Sequence, residues 1–186
     1  MKALELAIVL VCLTGPAIAQ DVLRSVEMPA HRALIAQRGN EAPAPFETDG
    51  CSGGLSASWR WVSERFPKIR ALFEEHPPWE YCCVTHDRAY HTAGGAMQAD
   101  DSYDARVAAD QALQSCVKAH GDNHAEAYAK RYDMTPDQVR LVHALTADAM
   151  FGAVRFGGAP CSGLPWRWGF GYPGCFVLGD RAPARE

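Results

Sequence analysis

Three things are scarce in this sequence of 186 residues, and each scarcity closes off a class of function. Positive charge is not in excess: 18 Lys+Arg stand against 22 Asp+Glu, a formal net charge of -4. A nucleic-acid binder needs a basic patch or stripe, and strong steering towards anionic membranes needs the same. Long apolar runs are missing after the first twenty residues, so no later segment reads as membrane-spanning. There is also no internal repeat and no low-complexity tract, which excludes solenoid arrays and compositionally disordered chains.

The first residues, MKALELAIVLVCLTGPAIAQ, do carry an apolar run, from Leu6 to Leu13. It follows one basic residue, is broken by Gly15-Pro16 and leads to small residues at Ala17 and Ala19. That run is too short to span a bilayer. The order of parts is that of a secretory signal peptide cleaved after Ala19. The mature protein is therefore expected to be secreted or periplasmic.

Export changes the meaning of the cysteines. Of the 7, Cys12 leaves with the signal, and Cys51, Cys82, Cys83, Cys116, Cys161 and Cys175 remain. An even set in an exported chain reads as disulfides, and six cysteines allow 15 pairings that sequence does not distinguish.

The fold class expected is mostly α. Residues 20–47 read as an N-terminal helical segment and linker, with Pro29 dividing the helix into two short pieces. Residues 48–156 read as the helical domain. Within it, helices are expected over 56–75, from Trp79 to about Ala93, and from Asp101 to His120. A short piece from Ala125 to Tyr132 follows, and a last helix runs from Thr135-Pro136 to about Phe151. Thr135-Pro136-Asp137-Gln138 supplies a cap, a first-turn proline and a glutamine that can return to the cap. Residues 157–186 form a tail too rich in Gly and Pro for regular structure. A Cys161–Cys175 bridge would staple it. Its Trp166, Trp168, Phe170 and Tyr172 make either a lid over the core or an exposed surface for an apolar partner or lipid interface.

The chemistry concentrates in Cys82-Cys83-Val84-Thr85-His86-Asp87-Arg88-Ala89-Tyr90. Residues four apart share a helix face, so Cys82, His86 and Tyr90 form one stripe and Cys83 and Asp87 its neighbour. Upstream lies Thr48-Asp49-Gly50-Cys51-Ser52-Gly53-Gly54. Glycines let a backbone curl so that carbonyl oxygens converge, the kind of shell that calcium takes with carboxylates. Taken alone, the same loop is also an ordinary surface turn. On the Asp101–His120 helix, Asp110 shares a face with Val107, Leu113 and Val117. A carboxylate there needs a partner across an interface, or else reaches solvent from an edge.

Cys82-Cys83-x-x-His86-Asp87 with Tyr90 resembles the active-site helix of the secreted phospholipase A2 family. Asp110 followed six residues later by Cys116 is similar to that family's second helix. The Gly50–Gly54 loop is similar to its calcium loop, and Asp49 ahead of Gly50-Cys51 to the shorter microbial members. The resemblance covers roughly 48–118. Arg88 replaces the family's cysteine after His-Asp, the stretch between loop and helix is longer, and the C-terminal third matches no family motif.

The resemblance implies a phospholipase A2-like core of two antiparallel disulfide-linked helices and a calcium loop, with bridges Cys51–Cys83 and Cys82–Cys116. His86 and Asp110 then lie about 6 and 9 Å along their helices from the second bridge, nearly opposite each other. The implied activity is calcium-dependent hydrolysis of the sn-2 ester of glycerophospholipids. His86 would be the general base and Asp110 would orient it, with Tyr90 bonded to that carboxylate. Asp87, Asp49, Gly50, Ser52 and Gly54 would hold Ca2+. The partner would be phospholipid at a membrane or micelle surface, met by a monomer, with no role for nucleic acid. No Ser or Cys nucleophile is identifiable, in keeping with direct attack by water. Two other classes carry weight: a non-catalytic phospholipase-like binding or toxin module, or a hydrolase of another ester. A transition-metal protein using His86, His91, His120 or His124 fits less well, because these do not share one face.

Overall fold

The computed structural model describes residues 21–51 and 77–175. The expected signal peptide, Ser52 and Gly54 of the loop, the helix expected over 56–75 and the tail beyond 175 lie outside the described residues. Within them are four helices and no strand: α1 (21–38), α2 (Glu80–His91), α3 (Ala99–Tyr132) and α4 (Pro136–Gly157). Three disulfides join Cys51 to Cys83, Cys82 to Cys116, and Cys161 to Cys175. Such a set belongs to a protein that matures in an oxidising compartment. Among the described residues, no helix is long and apolar enough to cross a membrane.

Helix α1 is continuous through Pro29, against the expectation of two pieces. A mid-helix proline costs about 3 kcal/mol through its missing N–H and its ring clash. Here tertiary packing offsets that cost. Met28, Ala30, His31, Leu34 and Arg38 are buried along one face, Leu34 and His31 completely. Full burial of a leucine alone is worth about 1.5–3 kcal/mol.

Helix α3 likewise fuses two pieces that the sequence separates. It passes through Gly121 without a break and ends at Asp133, whose φ of 55° turns the chain out of the helix. Gly121 is where α3 crosses α4. A Cβ there would meet the His143 Cβ at 2.4 Å. Glycine weakens a helix by about 1 kcal/mol, but here it permits the close crossing that holds the two long helices together.

Helix α4 starts as expected. Gln138 N–H donates to the Thr135 hydroxyl at 3.2 Å, and Thr135 N–H donates back to the Gln138 side chain at 2.8 Å. It runs on to Gly157 rather than stopping near Phe151. Its last turn is held by the Arg106 guanidinium, which donates to the carbonyls of Val154 at 2.8 Å and Arg155 at 2.9 Å. Cationic capping of this kind satisfies carbonyls that a helix end leaves unpaired.

Contacts pair Cys82 with Cys116 and His86 with Asp110, and Arg106 with Tyr90, so α2 and α3 run antiparallel. The tail is built into this core. Gly169 N–H and Gly171 N–H donate to the Tyr90 and His91 carbonyls and so cap α2. Trp168 is fully buried with its ring N–H on Ser102 Oγ at 2.9 Å, and Tyr172 is buried as well. Of the two readings of the tail, the described residues form the lid: Trp168 and Tyr172 are buried, and Trp166 and Phe170 are half-buried. Residues 21–38 belong to the same core, since Ala30 and Leu34 pack with Tyr90, Trp168 and Tyr172.

Candidate active site

The Cys82–Cys116 bridge sets the register of α2 against α3. One turn on from it, His86 Nε2 meets Asp110 Oδ1 at 2.9 Å. A further turn on, the Tyr90 hydroxyl donates to the same oxygen at 2.7 Å. The three side chains are buried, Asp110 completely. A carboxylate oxygen only accepts, so the neutral His86 ring carries its proton on Nε2 and has its lone pair on Nδ1. Nδ1 faces Asp87 Oδ1 at 3.9 Å. Burial on its own would lower the basicity of His86. The hydrogen bond to Asp110, with help from Asp87, outweighs it, and the imidazole is more basic than an ordinary histidine. Burial, with the Asp110 charge beside it, pushes the Tyr90 hydroxyl far above its usual range, so it acts as a fixed donor.

The second oxygen of Asp110 is also engaged. Arg155 Nη1 of α4 donates to Asp110 Oδ2 at 3.0 Å, and its Nη2 donates to Glu27 Oε1 of α1 at 2.7 Å. Arg106, fully buried, pairs with the other Glu27 oxygen and places its Nε–H 3.3 Å from the Tyr90 hydroxyl. Burial works against ionising Glu27, but His31 and the two guanidinium groups hold its carboxyl below the usual range. Two carboxylates and two guanidiniums thus balance inside the protein, as buried charges require.

On the other side of His86 lies the loop ahead of Cys51. Thr48 Oγ1 donates to Asp87 Oδ2 at 2.6 Å and accepts from Gly50 N–H at 3.0 Å, while the Cys51–Cys83 bridge anchors the loop to α2. Gly50 has φ of 69°, a left-handed conformation that glycine adopts without strain. Burial and the neighbouring Asp87 charge raise the Asp49 carboxyl. Among the described residues, no Lys or Arg pairs with Asp49 or Asp87.

Above His86 opens a cleft of about 280 Å³. Asp49, Gly50, His86 and Asp87 form its polar end. Leu113, Met150, Ala153, Val154, Leu164, Pro165 and Trp166 give it apolar walls. Leu164, one of these lining residues, is 50% exposed. The structure therefore gathers His86, Asp110, Tyr90, Asp87, Asp49 and Gly50 in one place. Ser52 and Gly54 lie outside the described residues.

Sequence reasoning missed Arg106, Arg155 and Glu27. Arg106 left one legible signal. It stands four residues before Asp110, on the stripe that continues to Leu113 and Val117, whereas Val107, expected on that face, is only half-buried. Glu27 and Arg155 sit 128 residues apart, and nothing in the sequence pairs them. No protein-family model, curated protein or solved structure matches this chain.

Proposed function

We propose that this protein hydrolyses the sn-2 ester of glycerophospholipids with His86 as general base. The observation that carries this reading is a buried His86–Asp110–Tyr90 cluster whose free imidazole nitrogen faces the polar end of an apolar cleft. Ester hydrolysis needs a base to deprotonate the attacking water, and imidazole is suited to it near neutral pH. Asp110 fixes the Nε2–H tautomer and stabilises the imidazolium formed when Nδ1 takes the proton, the orienting role of a carboxylate in hydrolase triads. Tyr90 holds Asp110 in place. The apolar walls would receive an acyl chain, gaining about 0.8 kcal/mol for each methylene withdrawn from water. Leu164 and Trp166, exposed and half-buried in the cleft lining, suit a rim that meets a lipid surface.

The residues at the polar end fit a calcium ion. The Asp87 charge acts on Asp49, no described Lys or Arg pairs with either carboxylate, and carboxylate oxygens are the donors that hard cations take. Asp87, Asp49 and the loop carbonyl of Gly50 would hold it. When bound, such an ion polarises an ester carbonyl as a Lewis acid.

The test is fatty-acid release from mixed phospholipid vesicles by the oxidised mature protein, with calcium and with chelator. Release that requires calcium is the expected result. No release from a folded, fully oxidised sample would overturn the reading, and release from a non-phospholipid ester alone would move the substrate class.

A further inference from the structure

Resting on that reading of the site, we infer that Arg155 is a positioning residue for the His86–Asp110 pair, and that Glu27 of α1 holds Arg155 in that role. A carboxylate has two oxygens and several lone pairs. If Asp110 were free to rotate, His86 and Tyr90 would compete for both oxygens. Arg155 removes that freedom. It occupies Oδ2 at 3.0 Å and leaves Oδ1 to His86 at 2.9 Å and Tyr90 at 2.7 Å.

An unbalanced guanidinium so close to Asp110 would draw the carboxylate's charge away from the imidazole. Glu27 supplies the balance. Its Oε1 takes Arg155 Nη2 at 2.7 Å and its Oε2 takes Arg106, so both guanidiniums are paired with Glu27 and Arg155 has a carboxylate besides Asp110. The chain closes on itself: Arg106 also donates to the carbonyls of Val154 and Arg155 and so fixes the turn of α4 that presents Arg155. Helix α1, outside the residues that carry the family resemblance, is in this way a working part of the site.

The experiment compares the intact oxidised protein with Arg155→Gln, Arg155→Lys and Glu27→Gln. The first readout needs no activity: the NMR resonance of the His86 Nε2-bound proton, assigned by its loss in His86→Gln. A shifted or exchange-broadened signal in Arg155→Gln, partly restored in Arg155→Lys, is the expected result. The second is kinetics on a monomeric short-chain phospholipid. There Arg155→Gln should lower kcat about ten- to a hundredfold at unchanged KM, with Arg155→Lys in between. If Arg155→Gln does not fold, Glu27→Gln, which leaves the Asp110 contact in place, must still move the His86 signal. An unchanged His86 resonance and kcat in folded variants would overturn the inference. Wild-type protein without lipase activity would overturn the hydrolysis reading instead, and the resonance would still decide this one.

Discussion

Helices α3 and α4 bury polar groups at both ends of their interface, and the two ends are built differently. At one, Asp110, Arg106, Arg155, Glu27 and Tyr90 satisfy one another, with carboxylates opposite guanidiniums. At the other, His120, His124, His143 and Tyr128 stack as rings, His120 on His124 with centroids 4.2 Å apart. That end keeps loose ends: among the described residues, His120 Nδ1 and His143 Nε2 are buried without a hydrogen-bond partner. The contrast teaches where fixed chemistry can reside. Carboxylates paired with guanidiniums hold their neighbours in one orientation, while unpaired ring nitrogens only lower stability. At the charged end, His31 Nε2, 3.7 Å from Glu27, is also without a hydrogen bond among the described residues.

The largest effect should come from His86→Gln, which removes the proposed base while leaving the ring's neighbours in place. Hydrolysis of phospholipid vesicles should fall about 10²–10⁴-fold, with the thermal midpoint little changed. Retained activity would erase the difference between the two ends. Asp110→Ala should be nearly as damaging to rate and should also destabilise the fold by about 3–5 kcal/mol, because it leaves the His86 Nε2–H and the Tyr90 hydroxyl buried without their acceptor and takes from Arg155 one of its two carboxylate partners. Denaturant titration measures that. Asp87→Asn should weaken calcium binding more than Asp49→Asn does. Asp87 is held in place by the Thr48 hydroxyl, whereas Asp49 is already easier to protonate. Calorimetric titration with calcium separates them.

The histidine end should respond to pH rather than to substrate. Burial, together with the neighbouring His124 and His143, lowers the His120 pKa from 6.5 to about 4. The unfolded chain therefore binds a proton there between these values while the folded one does not. Stability from this group is complete above pH 6.5, is lost as pH falls towards 4, and is flat below. Around it stand Trp79, Tyr81, His124, Tyr128 and His143. His120→Phe should flatten the acid limb of a stability-versus-pH curve, with less than about 1 kcal/mol change at pH 8. Activity should be untouched. A loss of activity in this variant would show that the two ends are coupled.

The α2 stripe was legible because its partners are local. Cys82, His86 and Tyr90 repeat every four residues, and Asp110 betrays itself as a charge on an apolar face. The capping box at Thr135 was legible for the same reason. Pro29 and Gly121 misled, because each weakens a helix taken alone and only the packing of Leu34 or His143 reveals why it is tolerated. Trp168 left both readings open: an aromatic in a Gly/Pro-rich tail carries no sign of whether it faces solvent or the core, and only the packing shows it buried.

By itself, then, the sequence determined the helical class, the spacing that stacks His86 and Tyr90 on one stripe, and the cysteines available for bridging. Those are consequences of helix periodicity and residue chemistry, and they act over a few residues. The tertiary structure alone decided that Glu27 and Arg155 close around Asp110, that the tail caps α2, and that α1 stays whole through a proline. Each of these depends on which groups meet after the chain is folded, where burial makes an unpaired charge costly and a paired one fixed in place.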